Sequence, residues 1–497
     1  ARHTQVGTSR DTDAPYAWDD LAMVSRRRPI AVAALVVMAA CSTGGNGDER
    51  AARFARSSTT VPATVATTTT TTLPVATSPA CPTIPPRAQP DPARPRYTVR
   101  ADVRPASGVV EGEVRVRFAP DLDTDRLVFR LWPNGPRASV GGTRLETGPV
   151  TAGGRELATT SPDVTTLVVD PGGPLRAGTA LEVAVPWRLE VPGPVQDRIS
   201  RDGDAMRLGS FFPILAWEPG VGWATDPAVS TFAEASTAQT ADFDLTVTVP
   251  DGYSVLASGV ADRPGHWTAT AMRDVALSVG RFRTVTATAR APEPVAVTVG
   301  VHAGVAESAQ LYVDQVVASL EDFGRRFGPY PWPAFTLAIT PALAGGIEYP
   351  GHVMQGPGTS GSTTIHEVAH QWFYGLVGNN QGRDPWLDEG LATWGEVRFE
   401  GELEVLRAWP IPPAARNRVA EPMTYWAANR SAYYDGVYVQ GAKAVAALGD
   451  ADLVDCALRV YVAVNAHRIA RSADLVRAAR AVFPGAAETL AGFGVRP

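Results

Sequence analysis

Two histidines four positions apart enclose a glutamate in His366-Glu367-Val368-Ala369-His370, and a second acid, Glu389, follows after 18 intervening residues. On a helix, residues i and i+4 share a face, so both imidazoles can converge on one ion while Glu367, a step further round, points beside it. The intervening stretch is long enough to end that helix, turn, and begin a second one facing the first, which makes Glu389 the third ligand. Zinc suits these donors: it takes imidazole nitrogen and carboxylate oxygen at about 2.0–2.2 Å, and a catalytic site keeps three protein ligands and one open position. One Zn2+ per chain is expected. Two imidazoles and one carboxylate leave the ion net positive, which lowers the pKa of a water in that position to about 7. Glu367 then stays off the metal as general base, taking a proton from the water and returning it to a departing amine. A chance HExxH on a structural helix competes with this reading of the pentapeptide alone. The surroundings of Glu389, Trp386-Leu387-Asp388-Glu389-Gly390-Leu391-Ala392, argue against it.

The elements that must hold these residues show in the hydrophobic period. From Tyr97 it is two: Glu113-Val114-Arg115-Val116-Arg117-Phe118 alternates, and residues 127–131, 181–185 and 245–249 are similar short runs between Gly, Pro and Asp turns. This predicts an all-β domain over residues 96–300. From Glu307 the period becomes helical, with Leu311, Val313, Val316, Val317, Leu320 and Phe323 as a stripe that stops before Gly328-Pro329. A strand over 335–339 leads into Gly345 and Gly346, where missing side chains let a peptide backbone lie close. Glu348 follows; taken alone it reads as an ordinary exposed acid. Helix continues from Glu389 through Val397, resumes over 441–448 just after Tyr438, and returns as two amphipathic helices within 450–497. The fold class expected is multidomain β plus α, an N-terminal sandwich-like all-β domain and then a mostly helical catalytic domain over 301–497.

At these residues the chain resembles the gluzincin metallopeptidases related to aminopeptidase N. The resemblance rests on HExxH and Glu389, on His370-Gln371-Trp372-Phe373 and on the Trp386 to Ala392 run. Gly345-Gly346-Ile347-Glu348-Tyr349 is similar to the family's Gly-x-Met-Glu-Asn segment, and Tyr438-Val439-Gln440-Gly441-Ala442 to the segment with its catalytic tyrosine. It spans roughly residues 95 to 497 and implies a thermolysin-like zincin domain acting on peptides. It also implies that Glu348 binds a substrate's free amino group and that Tyr438 donates a hydrogen bond to the oxyanion, with Tyr425, Tyr433 and Tyr434 as rivals. Three departures stand out. Ile347 and Tyr349 replace Met and Asn. The family's second acidic anchor, in a Thr-Gln-x-Glu stretch, has no match; Glu218 stands in that neighbourhood and reads better as a solvated loop acid. The large helical C-terminal domain of longer members is expected to be absent, which would open the cleft and admits an endopeptidase, or a surface binding protein with structural zinc, as alternatives.

The remaining features concern location. A net charge of −6, with no basic run beyond Arg26-Arg27-Arg28, gives no footprint for nucleic acid. Residues 1–22 read as an extension ahead of Met23. Residues 23–40 read as a lipoprotein-type signal: basic Arg26 to Arg28, an apolar stretch from Ile30 to Met38, and Ala39-Ala40 before Cys41 as the lipidation site. That apolar stretch is too short to span a membrane, which needs about 20 residues. The protein is therefore expected to sit lipid-anchored on the extracytoplasmic face, or to be secreted if Cys41 carries no lipid. Residues 41–95, rich in Thr, Pro and Ala, read as a disordered spacer. Cys81 and Cys456 form a disulfide or remain two free thiols; spacing alone leaves both open.

Overall fold

The computed structural model describes residues 73–230 and 237–496, a sheet-rich N-terminal part followed by a helical C-terminal part. Strand Arg96–Arg104 pairs with Val109–Phe118, which pairs with Leu181–Glu190, all antiparallel; Ala241–Thr248 adds to the first in parallel, within a nine-stranded sheet. Alternation sets the faces: Val114, Val116 and Phe118 are buried while Arg115 and Arg117 face out. Phe118 meets Trp217 and Tyr97 meets Phe212 edge to face, so the sheet's apolar side is covered by the segment that follows it.

The expected domain boundary at 300 moves back. Strands Phe282–Arg290 and Pro294–His302 form a hairpin that belongs to a second, five-stranded sheet with Ala334–Ile339, His352–Gln355 and the edge strand Gly346–Ile347. Period-two alternation is the same in either sheet, so the sequence pattern could not say which one the hairpin joins. Helix α1 (Ala309–Phe327) packs on this hairpin, capped by Ser308 through Gln310 N–H. Its buried stripe is Val313, Val316, Leu320, Phe323 and Phe327, whereas Leu311, expected on that stripe, is 49% exposed because it lies off the 3.6-residue line.

The described part of the expected spacer is packed on the fold. Residues 73–95 lie along the C-terminal helices: Ala76 N–H donates to Arg480 O (3.0 Å), Ala80 to Val482 O (3.1 Å) and Ala88 to Ala463 O (2.8 Å), and Leu73, Ile84 and Ala88 pack on the core. Cys81 is joined to Cys456 with Cα atoms 5.8 Å apart. A composition argument counts only what a segment can bury by itself, and this strap borrows its burial from helices almost four hundred residues away. Glu218 is no solvated acid: it is 2% exposed and pairs with Arg471 (2.8 Å) and Arg383 (3.5 Å), bridging the two parts of the chain. Residues 450–496 hold three helices rather than two, Ala451–Asn465, Ser472–Arg480 and Ala486–Ala491. Cys41 and the segment read as a signal lie outside the described residues.

Candidate metal centre

Helix α2 (Ser362–Ala369) carries His366 and Glu367, and His370 follows as its C-cap with helical dihedrals, so the i, i+4 relation survives the helix end. Helix α3 (Trp386–Glu400) carries Glu389 in its first turn. A Cβ on Gly390 would stand 2.9 Å from Gly441 Cα, so these two glycines let α3 pack backbone to backbone against helix Gln440–Ala446. That contact brings the preceding π-helical turn, Tyr434–Val439, and with it Tyr438, to the site.

Three ligand atoms converge. His366 Nε2 and His370 Nε2 are 3.0 Å apart, and each is 3.2 Å from Glu389 Oε2. On the far side of each ring, His366 Nδ1 faces Glu396 Oε2 (3.1 Å) and His370 Nδ1 faces Phe373 O (3.1 Å). Both partners are acceptors, so each Nδ1 carries the proton and each Nε2 turns a lone pair inward. Two lone pairs and a carboxylate oxygen directed at one point repel unless positive charge sits among them. Without an ion a proton takes that place: burial lowers the pKa of His370, but Glu348 and Glu389 outweigh it and push the ring up to about 9, and a metal that displaces the proton leaves the ring neutral. Burial likewise opposes ionisation of Glu389, yet His366 and His370 hold it down to about 2. Two neutral imidazoles and one carboxylate, with fixed tautomers, fit zinc. Glu396, seven residues beyond Glu389 and so on the same helical face, went unnoticed in the sequence although its spacing was readable there.

Beside the triad, Glu367 is 5% exposed and its Oε2 has no hydrogen-bond partner among the described residues. Burial pushes its carboxyl up to about 8, against the pull of His366. Glu348 is 6% exposed, not the exposed acid its position alone suggested, and one ligand atom from each of Glu348, Glu367 and His370 lie within 4.8 Å of one another. The edge strand comes just as close: a Cβ on Gly346 would stand 2.5 Å from the Glu367 carboxyl, so any larger residue there would displace Glu367, and Gly345 takes φ +96°. Tyr438 stacks on His366 (5.7 Å between centroids), and its hydroxyl donates to Glu389 Oε1 at 2.6 Å. Of the rivals, Tyr425 is committed to Ala414 O (2.6 Å) and Tyr434 stacks behind Tyr438 at 5.0 Å. Asp388, also missed, accepts from Glu389 N–H (2.7 Å) and from Gln381 Nε2 (2.9 Å), bracing the start of α3.

Residues 358–437 match the Peptidase family M1 domain. Among curated relatives, leukotriene A-4 hydrolase of Xenopus laevis is 34% identical over 84 residues and aminopeptidase B of Rattus norvegicus 32% over 81. Each match takes in 15% of this chain and only 14% and 12% of the respective relative. The fold agreement reaches much further. An M1 zinc metallopeptidase from Deinococcus radiodurans superposes with a TM-score of 0.59 at 20% identity, over 81% of this chain and 93% of the other. A variant of a two-domain M1 zinc metallopeptidase bound to L-arginine superposes at 0.60 and 20% identity, over 81% and 94%.

Proposed function

We propose that this chain, a gluzincin of the aminopeptidase N type, is a zinc-dependent aminopeptidase that removes N-terminal residues from peptides outside the cytoplasmic membrane. The observation that carries the exopeptidase reading is the cluster of Glu348, Glu367 and His370 within 4.8 Å. An amino nitrogen lies about 2.5 Å from the carbonyl carbon of its own residue, as bond lengths near 1.5 Å and an angle near 111° require. A peptide whose amine meets Glu348 and whose attacked carbonyl lies by Glu367 and His370 therefore has room for one residue between them. The chain's relatives support the substrate class: a neighbouring M1 structure holds the peptide Tyr-Ser-Ala.

His366, His370 and Glu389 would hold zinc, which would supply Lewis-acid polarisation and a more acidic water. Glu367 receives the water's proton on its free Oε2 and delivers it to the leaving amine. The Tyr438 hydroxyl leaves Glu389 Oε1 and donates to the oxygen on which charge develops. The backbone of Gly345 and Gly346 lies open to an extended peptide, and Glu348 takes the ammonium group in a charge-assisted hydrogen bond worth about 1.5–3 kcal/mol.

Glu348→Ala is accordingly expected to lower kcat/KM for free-amine peptides by roughly 10- to 150-fold, the range those energies imply. N-acetylated peptides should be cut poorly by both forms. Equal cleavage of free and acetylated peptides by the unsubstituted enzyme would instead identify an endopeptidase. We further propose that Cys41 carries lipid, in keeping with the signal-like residues before it. Acyl chains gain about 0.8 kcal/mol per buried methylene, so Cys41→Ala should move the protein from the membrane to the soluble extracytoplasmic fraction. Unchanged fractionation would rule the anchor out.

A further inference from the structure

Two strained turns flank the site, and a buried arginine of the β-domain holds each. Ala342 (φ +54°) and Tyr374 (φ +111°) are non-glycine residues in the left-handed half of backbone space. Tyr374 closes the segment after His370, and Arg273 Nε donates to its carbonyl at 2.6 Å. Ala342 lies in the turn that delivers the chain to the edge strand and Glu348, and Arg207 holds it more completely.

Arg207, on strand Ala205–Gly209, is 2% exposed, and its five N–H groups all end on oxygen. Nε donates to Asp197 O (3.2 Å) and Nη2 to Val195 O (2.9 Å), which binds the guanidinium into its own domain. Across the boundary, Nη1 donates to Thr340 Oγ1 (3.1 Å) and Pro341 O (2.7 Å), and Nη2 to Ala342 O (2.9 Å). The adjacent Gln196 Oε1 accepts from Ala344 N–H at 2.7 Å. The other side of the turn is equally tight: Gly356 N–H donates to Gly345 O (2.9 Å), and a Cβ on Gly356 would collide with Leu343 O. None of the Arg207 hydrogen bonds goes to a carboxylate, and burial lowers the pKa of the guanidinium to about 10. A buried cation without such a partner is costly, and an apolar side chain could fill the same volume. What arginine adds is direction: five bonds, three of them to consecutive residues of one turn.

We propose that Arg207 is a positioning residue for the substrate's amino terminus, holding the strained Ala342 turn so that the edge strand presents Glu348 at a fixed distance from Glu367 and His370. The proposal rests on the aminopeptidase reading, and one experiment separates the two. Binding of tri-alanine and of N-acetyl-tri-alanine is measured by calorimetry in the Glu367→Gln background, with zinc content assayed in every variant. Arg207→Met should weaken tri-alanine on the order of 10- to 100-fold, the scale of an ångström of misplacement, while zinc content and binding of the acetylated peptide stay unchanged. Adding Ala342→Gly should recover much of the loss, because glycine takes a positive φ without strain and needs no clamp. Gln196→Ala, at an exposed side chain, should act in the same direction but more weakly, and it carries the test together with Arg207→Lys if Arg207→Met fails to fold. Undiminished tri-alanine binding in these variants, an equal loss for both peptides, or a loss that Ala342→Gly does not relieve would overturn the proposal. If the Arg207-containing parent binds both peptides equally, the aminopeptidase reading itself falls.

Discussion

Replacing Glu367 with Gln is expected to lower kcat by roughly 10²- to 10⁴-fold while zinc remains near one per chain, because an amide of almost the same shape cannot accept and return a proton. The geometry makes this a clean substitution. The three ligand atoms belong to His366, His370 and Glu389, and Glu367 Oε2 makes no hydrogen bond among the described residues, so no structural contact is lost with it. Gly346 lies against the carboxyl group, and the nearly isosteric amide keeps that packing. Turnover of a free-amine peptide and metal content are measured on the same preparation. A Gln variant with undiminished kcat would remove Glu367 from the chemistry, and one that loses zinc would make it part of the metal's support instead.

How much of this was legible in the sequence depended on the separation of the partners. The triad was readable because two of its members are four apart on one helix and the third opens the next helix, so helical geometry links them. Glu396 was readable for the same reason and was overlooked. The clamp on the substrate edge was not: Arg207 and Ala342 are 135 positions apart, and nothing in the type or spacing of either residue announces the other. Glu218 illustrates the same limit. An acid in a loop with Pro219 beside it looks solvated until Arg383 and Arg471 arrive from the far end of the chain. The strap over residues 73–95 failed for a related reason, since its own residues are poor core formers and its order depends on helices and a cysteine elsewhere. The boundary near 300 failed differently: alternation identifies a strand and its buried face but carries no information about which sheet receives it.

Tyr438→Phe separates two roles that the geometry leaves superposed on one hydroxyl. That hydroxyl donates to Glu389 Oε1 at 2.6 Å, while its ring is held independently, stacked on His366 at 5.7 Å and on Tyr434 at 5.0 Å. Phenylalanine keeps both stacks and removes the hydroxyl, and with it the contacts to Glu389 and to the buried Tyr433. If the hydroxyl swings to the developing oxyanion, kcat should fall by roughly 10²- to 10³-fold with little change in KM, as for loss of one such donor in other hydrolases. If it serves only to orient Glu389, the loss appears in metal affinity instead, on the order of 10- to 100-fold for a partner of a ligand, and added zinc restores turnover. A zinc titration of the variant's activity therefore decides. A kcat that stays low at saturating zinc assigns Tyr438 to the reacting carbonyl, and full recovery assigns it to the support of Glu389. The π-helical turn over Tyr434–Val439 bears on the outcome, because widening the helix there aims Tyr438 at the triad while Gly441 keeps its contact with Gly390.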